Sequence, residues 1–277
     1  MWMMKTKKIL FTDLDGTLLN SQKQISRETR ETLAAFLSAG NLLVLTSGRD
    51  VNSINEIKEK RLKLNLPGIY LIGYNGGQIY DCDNKKTIYR NGLKIKQAIH
   101  IIETALEMGH HSHTYNETHI IAPVKTKNSK EFAYYKQDVF TPVIYTNDFA
   151  ADVLVEPGKC LAINLKDNKK LVSLMDKIHG TYDDVTCIFS CPLYLEIIPT
   201  TSGKGAALIK LCEILNIPTA NSIAAGDQEN DLSMLEAAGL SIAMANGVDS
   251  LKAIADIVTE YDNNHDGLAL CLQTLCR

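Results

Sequence analysis

The motif DLDGT at residues 13–17 places two carboxylates two residues apart, directly after a short apolar run. Side chains alternate along an extended chain, so Asp13 and Asp15 can face the same pocket. Gly16 allows a turn that other residues resist. Asp and Gly are also common in plain acidic β-turns, which is the alternative interpretation. The position after a strand favours a functional pocket with an oxygen nucleophile and a group that moves protons.

A second acidic loop, GDQEND at residues 226–231, follows a later strand-like run. Asp227 and Asp231 are four residues apart, so they share one face of a helical turn. For Asp231 alone, a favourable charge at a helix N-terminus is the competing explanation. The loop as a whole repeats the arrangement of the first motif, which favours a joint site.

Two further segments have the chemistry to bind phosphate. Lys204 lies at a predicted helix start, where the helix dipole disfavours a cation, and this conflict indicates a functional role. The P-loop pattern fails there, because Gly and Ser or Thr are not at the required positions. Ser47 and Gly48 follow the second strand and offer a hydroxyl and backbone N–H groups at a helix N-terminus, which can bind an anion. A simple N-cap is the alternative for Ser47.

Three carboxylates brought together, those of Asp13, Asp227 and Asp231, would repel one another and a phosphate dianion. A hard cation with oxygen ligands removes that conflict, and Mg²⁺ fits best because it is held by few carboxylates plus substrate phosphate. Phosphoryl transfer needs an in-line oxygen nucleophile, charge neutralisation and a proton for the leaving alkoxide. Asp13 supplies the first, Mg²⁺ and Lys204 the second, and Asp15 the third.

Alternating strands and helices must position these groups. The first two strand-like runs end at the polar clusters 13–17 and 46–49, and a third ends at Asn75. The helix after the second run is expected to extend from about Val51 to Leu64. This alternation predicts an α/β fold, a Rossmann-like, doubly wound parallel sheet with helices on both faces. Ligands bind beyond the carboxyl ends of such strands, where the polar clusters fall.

The middle of the chain mixes short strand-like pieces with helices, and tyrosines and histidines are concentrated there. We predict a discontinuous catalytic core of residues 1–81 and 192–277, with an inserted α/β cap at residues 82–191. The histidines of the insertion lack the regular spacing of metal ligands, so surface or packing roles are favoured over a metal site, with substrate binding as a further alternative. These histidines are His110, His111, His113 and His119.

The composition excludes several classes of protein. The 277 residues include 29 basic and 32 acidic residues, a net charge of −3, which is not the basic balance of a nucleic-acid binder. The start MWMMKTKKILF has no apolar stretch of signal-peptide length, and no apolar run is long enough to span a bilayer. Most of the seven cysteines are interpreted as small buried hydrophobes. We predict a cytoplasmic monomer or small homo-oligomer that binds neither nucleic acid nor membrane.

The sequence resembles the haloacid dehalogenase superfamily of phosphohydrolases, and within it the Cof-like subfamily. Four motifs match in order: DLDGT at 13–17, TSGR at 46–49, GKG at 203–205 and GDQEND at 226–231. The resemblance covers nearly the whole chain. It implies a Mg²⁺-dependent phosphatase that acts on small phosphorylated metabolites such as sugar phosphates through an aspartyl-phosphate intermediate. The inserted domain would be a lid that selects the substrate.

The resemblance also implies catalytic and metal-binding roles. Asp13 resembles the nucleophile and a metal ligand, and Asp15 resembles the acid/base whose backbone carbonyl also binds the metal. Lys204 resembles the residue that neutralises nucleophile and phosphate. Asp227 resembles the second carboxylate ligand of Mg²⁺, and Asp231 a residue that binds a metal water or orients the lysine.

Substrate and phosphate contacts are implied at five further positions. Ser47 resembles the hydroxyl that binds the transferring phosphoryl group, although Thr is more frequent there, and Gly48 and Leu14 belong to the same phosphate site. Asn230 resembles a phosphate contact. Asn75 resembles a position near the leaving group, and an Asn-Gly turn is its alternative explanation.

Two other functions stay open. A phosphomutase of the same superfamily would pass the phosphoryl group to a second sugar hydroxyl. A non-catalytic sugar-phosphate sensor would keep the fold without the reaction, but the intact acidic residues and lysine argue against it.

Overall fold

The computed structural model describes residues 7–137, 139 and 141–275. Most of the segment considered as a signal peptide, and Cys276, lie outside the described residues. The chain divides into two compact units. We call Met1–Tyr89 together with Gly203–Arg277 the core unit, and Arg90–Ser202 the inserted unit.

The described residues contain fourteen strands. In chain order they are β1 (Ile9–Asp13), β2 (Leu42–Thr46), β3 (Ile69–Gly73), β4 (Gln78–Asp81), β5 (Lys86–Arg90), β6 (His111–Tyr115), β7 (Ile120–Pro123), β8 (Val143–Thr146), β9 (Cys160–Ile163), β10 (Val185–Cys191), β11 (Tyr194–Pro199), β12 (Ser222–Gly226), β13 (Leu240–Ala243) and β14 (Ile257–Val258).

The same residues contain ten α-helices. They are α1 (Arg27–Ser38), α2 (Val51–Ile57), α3 (Ile95–Glu107), α4 (Lys130–Tyr135), α5 (Phe149–Asp152), α6 (Asn168–His179), α7 (Lys204–Leu215), α8 (Leu232–Ala237), α9 (Asp249–Ile254) and α10 (Gly267–Leu275).

The sheet of the core unit has eight strands in the order β14-β13-β12-β1-β2-β3-β4-β5. The neighbours from β14 to β3 are parallel, whereas β3 and β4 are antiparallel. An open parallel sheet with an antiparallel edge is a common form of the doubly wound fold. The predicted fold class is therefore confirmed.

Helices cover both faces of this sheet, and β1 shows why its sequence is continuously apolar. Leu10 lies in a buried cluster with residues of α1, α2 and α10. Ile9 and Phe11 point the other way, into a second cluster with residues of α7, α8 and α9. A strand buried on both faces has no position for an alternating polar residue.

The ends of the first two helices follow from their caps. The Ser26 hydroxyl accepts a hydrogen bond from the Thr29 N–H at 2.9 Å, so α1 begins where a Ser N-cap predicts. The helix expected from about Val51 to Leu64 is shorter. It begins after Asp50 and changes at residue 58 into a π-helical turn, Lys58–Leu62, which ends at Lys63 with a left-handed φ of 55°. A wider turn of this kind is not visible in apolar periodicity.

The inserted unit has its own sheet, in the order β10-β11-β9-β6-β7-β8. Most neighbours are antiparallel, and β7 and β8 are parallel. Residues of α3 and α6 form a buried apolar cluster with one face of the sheet.

The bounds of the inserted unit differ from the predicted residues 82–191. The strand β4 pairs with β3, so the hairpin of β4 and β5 extends the core sheet up to Tyr89. The strand β11 pairs with β9 and β10, so the inserted unit continues to Ser202. Strand pairing sets both bounds, and the apolar pattern of the sequence does not reveal which strands pair.

Candidate active site

The order of the strands brings the distant motifs to one edge of the core sheet. Asp13 is the last residue of β1, which lies between β2 and β12. Ser47 directly follows β2, and Asp227 directly follows β12. Because these three strands are parallel, their carboxyl ends are neighbours. Residues 13 and 227 therefore meet although they are far apart in sequence.

Lys204 lies at the centre of the acidic residues. Its Nζ donates to Asp13 Oδ1 at 2.6 Å and to Asp231 Oδ1 at 2.5 Å. It is the first residue of α7, and its side chain is fully buried. The next residue, Gly205, permits close packing of α7 against α8, since a Cβ there would lie 2.1 Å from the Ser233 carbonyl oxygen. The unfavourable charge at the helix start is thus offset by two carboxylates.

The charge balance of this cluster is negative. Burial raises the pKa of the Asp13 carboxyl well above its usual range; Lys204 opposes the shift, and the charges of Asp231 and Asp227 add to it. Burial alone would lower the pKa of Lys204, but Asp13 and Asp231 outweigh burial and hold that pKa above its ordinary value. One lysine therefore faces three carboxylates.

Asp227 is held by the last residue of the first motif and by the next residue of its own loop. Thr17 Oγ1 donates to Asp227 Oδ1 at 2.9 Å, and Gln228 Nε2 donates to its Oδ2 at 3.2 Å. Gly16 has a φ of +91°, and a Cβ there would lie 2.3 Å from Asp227 Oδ2, so the close approach requires glycine. Burial, then the charge of Asp231, raises the pKa of Asp227 to about 6.

The three carboxylates suit a divalent cation. Ligand atoms of Asp13, Asp227 and Asp231 all lie within 4.8 Å of one another, and all three residues are buried. A buried excess of negative charge is costly unless a cation compensates it, and carboxylate oxygens are ligands that Mg²⁺ accepts. Asp231 Oδ2 also accepts the N–H groups of Asp227 and Gln228 at 3.0 and 3.1 Å. Its two oxygens thus fix the loop and Lys204, which favours the orienting role over direct metal ligation.

Asp15 lies outside this cluster and contacts two cations. Arg49 donates from Nε to Oδ2 at 2.9 Å and from Nη2 to Oδ1 at 3.1 Å, and Lys23 Nζ donates to Oδ1 at 2.7 Å. Burial alone would raise the pKa of Asp15, but Arg49 and then Lys23 outweigh it and lower the pKa to about 2. Sequence reasoning noted Arg49 only as part of the second motif. It missed Lys23, for which the sequence carries no signal.

The remaining predicted phosphate contacts lie at the same edge. The Ser47 hydroxyl accepts the Arg49 N–H at 3.2 Å, and its carbonyl accepts the Asn75 N–H at 3.0 Å. The simple N-cap interpretation of Ser47 is wrong, because Asp50 caps α2.

Asn75 and Asn230 are joined by a hydrogen bond of 3.2 Å from Asn230 Nδ2 to Asn75 Oδ1. Asn75 has a left-handed φ of 51°, followed by Gly76 at 105°, so the Asn-Gly turn is present, and the position near the leaving group stays a prediction. The side chain of Leu14 is buried in the apolar core, which leaves only its backbone for the predicted phosphate contact.

Two histidines of the insertion form hydrogen bonds within that unit. His111 and His113 on β6 form a hydrogen-bonded chain with Thr126 and Tyr115, with distances of 2.7, 3.0 and 3.1 Å. Burial lowers the pKa of His111 to about 3 and that of His113 well below its usual range. Within residues 7–137, 139 and 141–275, no group of three or more metal-binding side chains includes a histidine.

His110 is buried, and its Nδ1 lies 3.3 Å from the Asn164 amide nitrogen, whereas His119 Nδ1 contacts the Thr118 hydroxyl at 2.8 Å.

Among the six described cysteines, Cys160 and Cys212 are buried and the others are partly buried. The expectation of small buried hydrophobes therefore holds fully for only two of them. No α-helix in the described part of the chain is long and apolar enough to cross a membrane.

Comparisons with known proteins identify the family. The family model described as haloacid dehalogenase-like hydrolase matches residues 10–272. The chain therefore belongs to this family, and the predicted class of phosphatase is confirmed.

Two relatives of this chain are named for phosphatase activities on different substrates. The chain is 29% identical to the 5-amino-6-(5-phospho-D-ribitylamino)uracil phosphatase YwtE of Bacillus subtilis (strain 168), over 97% of this chain and 98% of the relative. It is 28% identical to the pyridoxal phosphate phosphatase YbhA of Escherichia coli (strain K12), over 95% and 97%. A crystal structure of a haloacid dehalogenase-like hydrolase from Bacteroides thetaiotaomicron matches with a TM-score of 0.88 and 30% identity, over 98% of this chain and 100% of the other.

Proposed function

We propose that this protein is a Mg²⁺-dependent phosphohydrolase that releases phosphate from small phosphorylated metabolites through a phosphorylated Asp13. The observation that carries the proposal is the contact of buried Lys204 with both Asp13 and Asp231, beside Asp227. This arrangement holds a carboxylate oxygen next to a fixed cation at the edge of the sheet where ligands bind.

In the first half of the proposed reaction, an Asp13 carboxylate oxygen attacks the phosphorus, and the bond from phosphorus to the leaving oxygen breaks. Asp15 gives its proton to the leaving oxygen, and Lys204 offsets the charge of the phosphoryl oxygens. In the second half, the Asp15 carboxylate takes a proton from water. The water oxygen attacks phosphorus, the bond to Asp13 breaks, and phosphate and the free Asp13 carboxylate result.

Mg²⁺ would be held by Asp13, Asp227 and the Asp15 carbonyl, with Asp231 next to it, and would supply positive charge to the transferring phosphoryl group. Ser47, Gly48, Asn230 and the Leu14 backbone would contact the phosphate oxygens. Proton delivery by Asp15 requires its carboxyl to be protonated as phosphate binds, against the effect of Arg49 and Lys23, which lower its pKa.

The substrate class is that of small phosphomonoesters, including sugar phosphates. Two relatives named above act on a phosphorylated ribityl compound and on pyridoxal phosphate, and both are small phosphate esters of polar molecules. The inserted unit would select among them as a lid, and a cytoplasmic location, as a monomer or small homo-oligomer, would fit such substrates.

The experiment is trapping of the intermediate. The protein is mixed with a ³²P-labelled phosphomonoester and Mg²⁺ and quenched in acid, which preserves an acyl phosphate, and the labelled peptide is sequenced. We expect label on Asp13, and none in Asp13→Asn. Turnover without label on Asp13, or label on another residue, would overturn the proposal.

A further inference from the structure

We propose that Lys23 is a positioning residue that, together with Arg49, holds the Asp15 carboxylate in the orientation used for proton transfer. The inference rests on the proposed function and adds a residue from outside the four motifs. Lys23 lies in the loop after β1, eight residues beyond Asp15.

The contacts of Asp15 leave its carboxylate little freedom. Arg49 binds both oxygens as a fork, and Lys23 adds a third donor to Oδ1 at 2.7 Å. A fork from arginine fixes the plane of a carboxylate. With Lys23, Asp15 Oδ1 accepts two hydrogen bonds and Oδ2 accepts one. The two oxygens can therefore take different roles in a proton transfer.

Hydrogen bonds within the loop fix the backbone that carries Lys23. Asn20 closes a tight turn: its side-chain oxygen accepts the N–H groups of Gln22 and Gln24 at 3.0 and 2.8 Å, and its carbonyl accepts the Lys23 N–H at 2.8 Å. Lys23 has a left-handed φ of 56° in this turn. A glycine would adopt that conformation without strain, whereas lysine is disfavoured there.

Distant asparagines brace the same loop. Asn263 Nδ2 donates to the Leu19 carbonyl at 2.8 Å, and the Asn264 side-chain oxygen accepts the Ser21 N–H at 2.9 Å. Residues from the far end of the chain therefore fix the turn from which Lys23 reaches Asp15. These contacts restrict the position of the Lys23 ammonium more than that of a lysine in a mobile surface loop.

Stability alone does not account for a lysine at this position. The side chains of Lys23 and Asp15 are 44% and 34% exposed, and ion pairs at such exposure contribute about 0–1 kcal/mol. A non-glycine residue in the left-handed region costs a comparable amount, about 1 kcal/mol. The net gain is close to zero, so a role in holding Asp15 explains the residue better than folding does.

The test compares three variants of the full-length protein. Lys23→Met removes the charge at similar size, and Lys23→Arg keeps it. Lys85→Met is the matched control, because Lys85 also has a left-handed φ, 51°, in an exposed turn of the core unit. The substrate is the phosphomonoester that the wild-type protein hydrolyses best, and inorganic phosphate serves as a competitive ligand.

We expect Lys23→Met to lower kcat about 10-fold, a part of the 10² to 10⁴ that general acid–base catalysis typically supplies. The inhibition constant for phosphate and KM should change less than about twofold, since binding is not affected. Lys23→Arg should restore most of kcat. In an Asp15→Asn background, Lys23→Met should have no further effect, because Lys23 acts through Asp15.

Wild-type kcat in Lys23→Met would overturn the proposal, as would an equal loss of kcat in Lys85→Met. An undiminished effect of Lys23→Met in the Asp15→Asn background would overturn it too, because Lys23 would then act elsewhere. A wild-type protein that hydrolyses no phosphomonoester would instead refute the proposed function, so the two failures are distinguishable.

Discussion

Lys204 Nζ and Asp231 Oδ1 lie 2.5 Å apart, and neither side chain is exposed to solvent. The second oxygen of Asp231 accepts the backbone N–H groups of Asp227 and Gln228. A single carboxylate therefore links the buried lysine to the loop that carries the metal-binding candidate Asp227. A change at Asp231 should disturb both at once.

We expect Asp231→Ala to lower the free energy of unfolding by about 1–3 kcal/mol, because it leaves two backbone N–H groups without their acceptor, whereas Lys204 keeps its contact with Asp13. Urea unfolding measures the change. The control is Glu229→Ala in the same loop, an exposed position where about 0.5 kcal/mol or less is expected. Equal stability of the two variants would show that the Asp231 contacts contribute little to the free energy of unfolding.

Activity should depend on Mg²⁺ and should be lost in excess chelator. Ca²⁺ should inhibit, because it takes more oxygen ligands and would let Asp13 bind through both oxygens and misalign its attack. Asp227→Asn should weaken Mg²⁺ binding, as measured by the metal-induced rise in Tm. The control Asp249→Asn, at an exposed position, should leave that rise unchanged. Full activity in chelator would contradict the metal mechanism.

The affinity for Mg²⁺ should fall as the pH is lowered through about 6. Burial and Asp231 raise the pKa of Asp227 to about 6, so protons compete with the metal below that pH. Titration of Mg²⁺ against Tm at pH 7.5 and pH 5 measures the effect. A pH-independent affinity would mean that Asp227 is not a ligand.

Asp15→Asn should divide the reaction into its two halves. A good leaving group such as p-nitrophenol hardly needs a proton, but hydrolysis of phosphorylated Asp13 always needs the base. General acid–base help is worth about 10² to 10⁴ in rate, so the variant should release one equivalent of nitrophenol per site in a burst and then slow sharply. A sugar phosphate should give no burst. Steady turnover at the wild-type rate would refute the roles of both aspartates.

Replacement of the inserted unit, Arg90–Ser202, by a short linker should leave a folded core, because the strands on either side of it belong to one sheet. We expect weak activity on small aryl phosphates and no preference among sugar phosphates. The comparison is kcat/KM over a panel of phosphate esters for both proteins. An unchanged ranking of substrates would argue against the lid.

Acid should destabilise the protein through His111. Its folded pKa, about 3, lies below the unfolded value of 6.5, so the unfolded chain binds a proton that the folded chain does not. Stability is therefore lost as the pH falls from 6.5 toward 3, by about 2 kcal/mol between pH 7 and pH 5. In His111→Gln the difference in unfolding free energy between these pH values should shrink by that amount, and in the exposed His179→Gln it should not. An undiminished difference in His111→Gln would exclude this histidine as the cause.

The sequence predicted the parts of the site that local order determines. Asp13 ends its strand, and Ser47 and Asp227 each follow a strand directly, so the parallel order of the strands requires them to meet. The contacts of Asp15 with Arg49 and Lys23 were not predicted, because the contact with Lys23 depends on a turn braced by the C-terminal part of the chain.

Strand β6 shows a second limit of sequence reasoning. Its residues, HSHTY, are mostly polar, yet all five are buried. Several of their polar groups have partners from other elements, among them Thr126, which contacts His111, and the Lys159 carbonyl, which accepts from Thr114 at 2.8 Å. Pairing of this kind is a tertiary property, and residue types alone do not reveal it.

The central position of β1 has a consequence for synthesis on the ribosome. Among the described strands β1 is made first, but one of its two neighbours, β12, ends at Gly226 and is made more than 200 residues later. During that interval one edge of an apolar strand has no partner, which is the condition that exposes a nascent chain to aggregation. The inserted unit is continuous in sequence and has its own sheet. It can therefore fold before β12 is made, and the catalytic cluster can form only after β12 and the following Asp227 have been made.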